Sequence, residues 1–418
     1  MRTENIDVLV IGAGPAGTVA AAMTNKAGLK TKIVEKQSFP RFVIGESLIP
    51  RVMDHLEEAG FLNALDQMNF QKKFGARFIK GDRVCEFDFS DQFTDGYPWT
   101  WQCPRADFDS ILAREAEKQG IEVCFETGVK SVSIHDGYSE TVIEDKYGVE
   151  SQVNARFIID ASGYARVLPQ MFNMVRTAKL PPRKAMFVHC ADERRTQGRD
   201  GWMISFVVHR QDIWIWVIPF SNGVTSLGVV GNPEFFEQFE GSNEDVIRAI
   251  LEQDPNYRDR FRGTKFLWEP KVLESYSASS SDMYGDGFAI VGNSVEFLDP
   301  VFSSGVMFAT ESGILAGKLA ARQLNGEKVD WKSEYEEYIQ TAVQTFRTYV
   351  KSWYDGALQD VFFADNPSFE VKKQLASILA GYVWDKKNPF VRKHQTTVYN
   401  LANAISGYQK YGEEAILA

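Results

Sequence analysis

The sequence predicts an α/β fold: a GxGxxG-type Rossmann-like nucleotide-binding domain, an antiparallel β-sheet domain inserted into it, and a helical C-terminal region. Three observations carry that expectation. The first is "IDVLVI" followed by "GAGPAG" and the helix pattern "TVAAAMTNKAGL", a strand–turn–helix unit closed by a second strand at "TKIVEK". The second is a block of spaced β-runs, "AMFVHC", "GWMISFVVH", "DIWIWVIP" and "GVTSLGVVG", broken by one helical insert, "NEDVIRAILEQ". The third is "GFAIVGN" with the helix pattern "GVMFATESGILAGKLAARQL" behind it, which reads as a return to the first unit. Residues 1–167 are therefore assigned to the nucleotide-binding domain, with some strands within 74–104 given to the inserted sheet. Residues 168–280 form the β-rich substrate domain, 281–325 the return segment and 326–418 the helical C-terminal region.

Between the strands, a helix is expected from Ser47 to Ala59, and β-segments at Phe74–Lys80 and Val84–Phe89. An amphipathic helix follows over Ala106–Gly120, ended by its glycine. "IEVCFE" and the pair around "HDGYSE" read as strands, and "VNARFIIDASG" as a buried strand entering a polar turn.

Chain-wide properties narrow the function. A net charge of −10 without a basic run excludes nucleic acid and anionic membrane surfaces as partners. Val8–Met23, the most apolar N-terminal segment, is too short to span a bilayer and is broken by glycines and a proline. The polar start "MRTENID" fits no signal peptide. Cys85, Cys103, Cys124 and Cys190 show no CxxC pairing, as expected for reduced thiols in a cytoplasmic protein. The five histidines show no HxH or HExxH spacing, so no metal site is expected.

The first turn defines a dinucleotide site. Gly12 allows the tight turn, Gly14 lets a pyrophosphate approach the backbone, and Gly17 lets helix and strand pack closely. Ala13, Pro15 and Ala16 complete a helix start whose free N–H groups face the phosphates. Glu35, roughly 20 residues on, suits ribose hydroxyls and disfavours a 2′-phosphate. No second such motif exists, so a nicotinamide cofactor has no nucleotide fold of its own.

In "DIWIWVIPF", Trp214 and Trp216 share one strand face and Ile215 and Val217 the other. The pair is either the core of a doubly buried strand or the aromatic wall of a cavity.

Three stretches resemble the large family of FAD-dependent aromatic hydroxylases, flavin-dependent halogenases and geranylgeranyl reductases. They are "PRADFDSIL" with Arg105, "DASGYAR" with Asp160 and Gly163, and "GFAIVGNSVEFLDP", where Asn293 replaces the family's aspartate. Four more resemble the halogenase branch: "RFVIGESLIP", "KKFGARF", the W-x-W-x-I-P signature "WIWVIP", and "FLDPVFSSG", whose S-x-G end holds halide in that branch. The resemblance implies FAD, held by the glycine turn, Glu35, Lys36, Arg41, Gly45, Glu46, Ser47, Arg105, Val129, Asp160, Gly163, Gly292, Asn293, Pro300, Ser303, Ser304, Gly305 and Val306. It implies catalysis by Lys73, with Trp214 and Trp216 separating flavin from substrate and Ser304 at the halide. Phe302 stands where tryptophan halogenases carry a glutamate, which points to a phenol or pyrrole substrate, free or tethered to a carrier protein. Halide, and electrons from a separate flavin reductase, complete the implied partners. An FAD-dependent dehydrogenase or hydroxylase without halide chemistry, and a non-catalytic flavin-binding protein, are the alternatives.

Overall fold

The segment Arg2–Ile11 forms the central strand of a parallel sheet because its inner half is a near-continuous aliphatic run, as strands covered on both faces require. The computed structural model describes residues 2–177, 180–274, 276–407 and 411; the rest of the expected C-terminal region, 408–410 and 412–418, lies outside the described residues. Arg2–Ile11 pairs in parallel with Thr31–Val34 on one side and Glu150–Asp160 on the other. Glu122–Cys124 and Phe288–Ile290 extend the two edges, also in parallel. The return segment thus adds a strand to the sheet that the N-terminus began.

Two helices lock this unit. Pro15–Lys26 starts with proline, whose missing N–H costs nothing at a helix start, and Gly305–Leu324 packs against it. The contact is backbone-close: a Cβ on Gly313 would stand 2.4 Å from the Ala16 carbonyl oxygen, and one on Gly317 2.6 Å from that of Ala20.

A second sheet of seven strands, antiparallel except for one pair, carries the aromatic strand. It includes Gly75–Lys80 and Arg83–Asp88 from before the insert, the former pairing in parallel with Ser205–Arg210. Along Ile213–Pro219 every residue is buried, and the faces differ. Ile213, Ile215 and Val217 pack beneath the helix Asn243–Gln253 with Val246, Ile247 and Ile250. Trp214, Trp216 and Ile218 face the first domain, among Phe187, Phe206 and Val230.

One departure from the sequence expectation shapes the site. The helix expected from Ser47 begins at Arg51. Pro50 disfavours helical backbone in the residue before it, and residues 46–48 run instead beside Thr100–Gln102. Leu48 N–H donates to the Trp101 carbonyl at 3.0 Å, and Cys103 N–H to that of Glu46 at 2.9 Å.

Gly228 lies directly across from Trp216 in the ladder, and a Cβ there would stand 2.1 Å from the indole Cζ2. Gly228→Ala should therefore displace the indole and destabilise the fold by about 1–3 kcal/mol. Thermal denaturation followed by tryptophan fluorescence measures both effects.

Candidate active site

The glycine turn opens a cavity of about 1570 Å³ between the two sheets. That exceeds the roughly 300–1,000 Å³ of an ordinary ligand pocket. Gly12, Gly14, Pro15, Ala16, Glu35, Lys36, Arg41 and Val129 line its first part. Gly45, Glu46, Ser47, Arg105, Gly163, Gly292, Asn293, Pro300, Ser303, Gly305 and Val306 continue it. Phe187, Phe206, Trp214 and Trp216 close it with an aromatic wall.

The glycines divide the labour as their spacing suggests. A Cβ at Gly17 would meet the Gly12 carbonyl oxygen at 1.9 Å, so Gly17 serves helix–strand packing and does not line the cavity. Gly14 is different: a Cβ there meets only the Arg41 guanidinium at 3.6 Å. The space beside Gly14 is cradle, not core. Ala13 also stands off the wall, its N–H donating to Glu35 Oε2 at 2.9 Å. Glu35 Oε1 accepts from Gln37 N–H at 2.9 Å, and each carboxylate oxygen keeps lone-pair capacity toward the cavity.

Arg105 and Arg41 share a clamp that sequence reasoning missed. Asp109, fully buried one turn after Arg105, takes Arg105 Nε at 2.8 Å and Nη2 at 3.0 Å, and Arg41 Nη1 at 3.0 Å. Charge-assisted bonds of this kind fix both guanidiniums at the cavity edge. The i,i+4 spacing "RADFD" was the available signal.

Asp160 does not line the cavity as expected. Its carboxylate accepts from Ser162 N–H at 2.8 Å and Leu168 N–H at 2.7 Å, shaping the turn that presents Ser162 and Gly163. Ser304 likewise sits behind the wall, at the start of the helix Gly305–Leu324, while Ser303 and Gly305 face inward.

Lys73 is one layer behind the wall, on the strand Gln71–Lys73, and only 3% exposed. Its Nζ donates to Ser47 Oγ at 2.9 Å and to the Leu48 carbonyl at 2.8 Å. Ser303 Oγ lies 3.2 Å from Ser47 Oγ, so the three motifs meet at one hydroxyl. Among the described residues no carboxylate pairs with the amine. Burial alone pushes Lys73 down to about 7, because nothing compensates the desolvated charge.

The indoles are fixed individually. Trp216 Nε1 donates to Ser226 Oγ at 3.1 Å and Trp214 Nε1 to the Tyr354 hydroxyl at 3.0 Å; the rings lie 6.0 Å apart. Glu46 is tied through Oε1 to His189 Nε2 at 2.7 Å.

A cavity that starts at a dinucleotide turn and ends on an aromatic wall defines an FAD-dependent oxidoreductase. Residues 5–250 match the FAD binding domain family. The chain is 30% identical to the 1H-pyrrole-2-carbonyl-(peptidyl-carrier protein) brominase of Pseudoalteromonas luteoviolacea, over 80% of this chain and 81% of that protein. It is 26% identical to the corresponding chlorinase of Pseudomonas fluorescens, over 93% and 91%. A crystal structure of a flavoprotein/dehydrogenase from Cytophaga hutchinsonii superposes with a TM-score of 0.95 at 51% identity, covering 97% of this chain and 99% of that one. The chain belongs to the FAD-binding family of the flavin-dependent halogenases, and FAD is its cofactor.

Gly14→Leu should abolish FAD retention while leaving the apoprotein's melting temperature nearly unchanged, since the added side chain enters the cradle and not the core. Flavin absorbance after gel filtration and an apoprotein melt check the two halves.

Proposed function

We propose that this protein halogenates an electron-rich aromatic molecule of the phenol or pyrrole class, free or tethered to a carrier protein. The observation that carries the proposal is the enclosed Lys73 amine, without a counter-charge among the described residues and bonded to a serine of the flavin cavity wall. Bound FAD, reduced and supplied with O₂ and halide, provides hypohalous acid and water. The residues of this chain do the rest.

The aromatic wall excludes a ring-sized substrate from the flavin side, so only a small oxidant passes between the compartments. Lys73 as neutral amine takes the halogen from hypohalous acid, releasing water, and passes it to the ring, which loses a proton. As ammonium it lacks the lone pair this step needs. Ser47 and the Leu48 carbonyl hold the amine in place.

Pyrrole-carrier halogenases among the relatives support a tethered substrate, and the position of Phe302 supports a phenol or pyrrole over an indole. The single nucleotide motif supports a separate flavin reductase, with NADPH alone reducing the flavin slowly. Among the described residues no helix is long and apolar enough to cross a membrane, and the four free cysteines fit the cytoplasm, where we place the protein. One observation favours a second reading, a dehydrogenase without halide chemistry: the 51%-identical flavoprotein/dehydrogenase. A halide requirement separates the two.

Incubation with reduced FAD, O₂, bromide and a panel of phenols and pyrroles should give products with the paired bromine isotope signature in mass spectra. Turnover of an organic substrate without halide would overturn the proposal. Product formation should rise as pH increases through about 7, following the neutral amine.

Lys73→Met should eliminate halogenated product, leave FAD binding intact and stabilise the fold at pH 7 by roughly 1–3 kcal/mol. Between about 7 and the ordinary 10.5 the unfolded chain holds a proton at Lys73 that the folded chain lacks. Wild-type stability from this group therefore rises with pH across that window, and the variant's advantage shrinks. Paired thermal melts at pH 7 and pH 9.5 measure the convergence.

A further inference from the structure

The aromatic wall is held from outside the flavin domain. Tyr354, the last residue of the helix Glu337–Tyr354, turns its hydroxyl onto Trp214 across 140 residues of sequence. That hydroxyl accepts from the indole N–H at 3.0 Å and donates to Asp299 Oδ2 at 2.9 Å. Asp299 Oδ1 accepts from Val301 N–H at 3.0 Å, which fixes the carboxylate at the head of the segment carrying Ser303 and Gly305. The guanidinium of Arg183 lies 3.8 Å over the Tyr354 ring. Gln211 Nε2, three residues before Trp214, donates to the Tyr354 carbonyl at 3.2 Å. One tyrosine thus ties the tryptophan strand to the segment following Asp299, through a hydrogen-bond chain whose direction the single-donor indole fixes.

We propose that Tyr354 and Asp299 are positioning residues for Trp214: the C-terminal helix holds the indole in the cavity wall and so sets the separation between flavin and substrate. Neither touches the reacting atoms. This rests on the reading of Trp214 as the partition, and it assigns a task to the C-terminal region that the nucleotide and tryptophan motifs do not contain.

The chain of bonds is pH-dependent. Burial raises Asp299 to about 6, while Val301 N–H, the Tyr354 hydroxyl and the Arg183 guanidinium pull it down. Burial, helped in turn by Asp299, pushes the nearby Tyr276 hydroxyl up, a group with no hydrogen-bond partner among the described residues. Above about 6 the Tyr354–Asp299 bond is charge-assisted; below it the carboxyl is neutral and the bond weakens. The indole is held more firmly at pH 7.5 than at pH 5.

The test uses the FAD-loaded full chain with ¹⁵N-labelled tryptophan, the Trp214 indole signal being assigned by its loss in Trp214→Phe. Tyr354→Phe keeps the ring beneath Arg183 and removes only the hydroxyl. It should shift the Trp214 N–H signal and lower its exchange protection, relative to free indole at the same pH, at least tenfold. Asp299→Asn should lose the difference in protection between pH 5 and 7.5 that the wild type shows. An unchanged Trp214 signal and protection in Tyr354→Phe overturns the inference. A second readout follows flavin oxidation against halogenated product, and Tyr354→Phe should raise the ratio. If protection falls and the ratio does not move, Trp214 is positioned as inferred but is no partition, and the fault lies with that part of the functional reading.

Discussion

A lysine amine without a counter-charge, enclosed in protein, is the constraint on which the site depends. Isolated charges are costly to bury, and the ordinary outcome is a group that titrates down until it is neutral near physiological pH. Lys73 does so through burial alone, its two partners, Ser47 Oγ and the Leu48 carbonyl, being neutral acceptors that bring no counter-charge. Those acceptors exist only because residues 46–48 run extended beside Thr100–Gln102 and do not join the helix that follows. Pro50 thus shapes the environment of the amine, at one remove. A helix begun at Ser47 would have consumed the Leu48 carbonyl within its own first turns.

The site consequently has two layers. The wall of the flavin cavity carries Ser47, Ser303 and the indoles, and the amine stands behind it, in contact through one hydroxyl. That arrangement suits an oxidant made on one side and used on the other. The same wall explains why the strand carries two tryptophans and not leucines. Its outer face is plain aliphatic core under a helix, whereas each indole on the inner face has its own hydrogen-bond partner. A buried indole needs such a partner in any role, and here the partners fix the orientation of each ring.

Much of this was legible in the sequence, and what was not had a common cause. The glycine turn, Glu35 and the alternation of the tryptophan strand are local patterns, and the structure places them where local rules put them. Asp109 was half legible: its i,i+4 spacing to Arg105 was visible, but its grip on Arg41, 68 residues earlier, was not. Gly228 is a glycine for the sake of a ring on the neighbouring strand. Tyr354 is separated from Trp214 by 140 residues. Such contacts follow from how elements meet, which periodicity does not encode. Asp160 and Ser304 differ in the other direction: the motifs located the turns, and there the cavity is lined by their neighbours, Gly163, Ser303 and Gly305.

Phe302 bears on which aromatic ring the site suits. Its ring packs edge-on against Trp353, 6.1 Å between centroids, and is 3% exposed, so it belongs to the core. At that position the chain therefore offers no acid that could stabilise positive charge on a substrate ring. A ring attacked by an electrophilic halogen becomes cationic before it loses its proton. A phenol or pyrrole spreads that charge onto its own oxygen or nitrogen, and the proton it sheds replaces the transferred halogen on nitrogen and regenerates the neutral amine. On the proposed reading the two halves connect: a buried Lys73 with no carboxylate partner among the described residues is neutral and nucleophilic, and it suits substrates that carry their own activation.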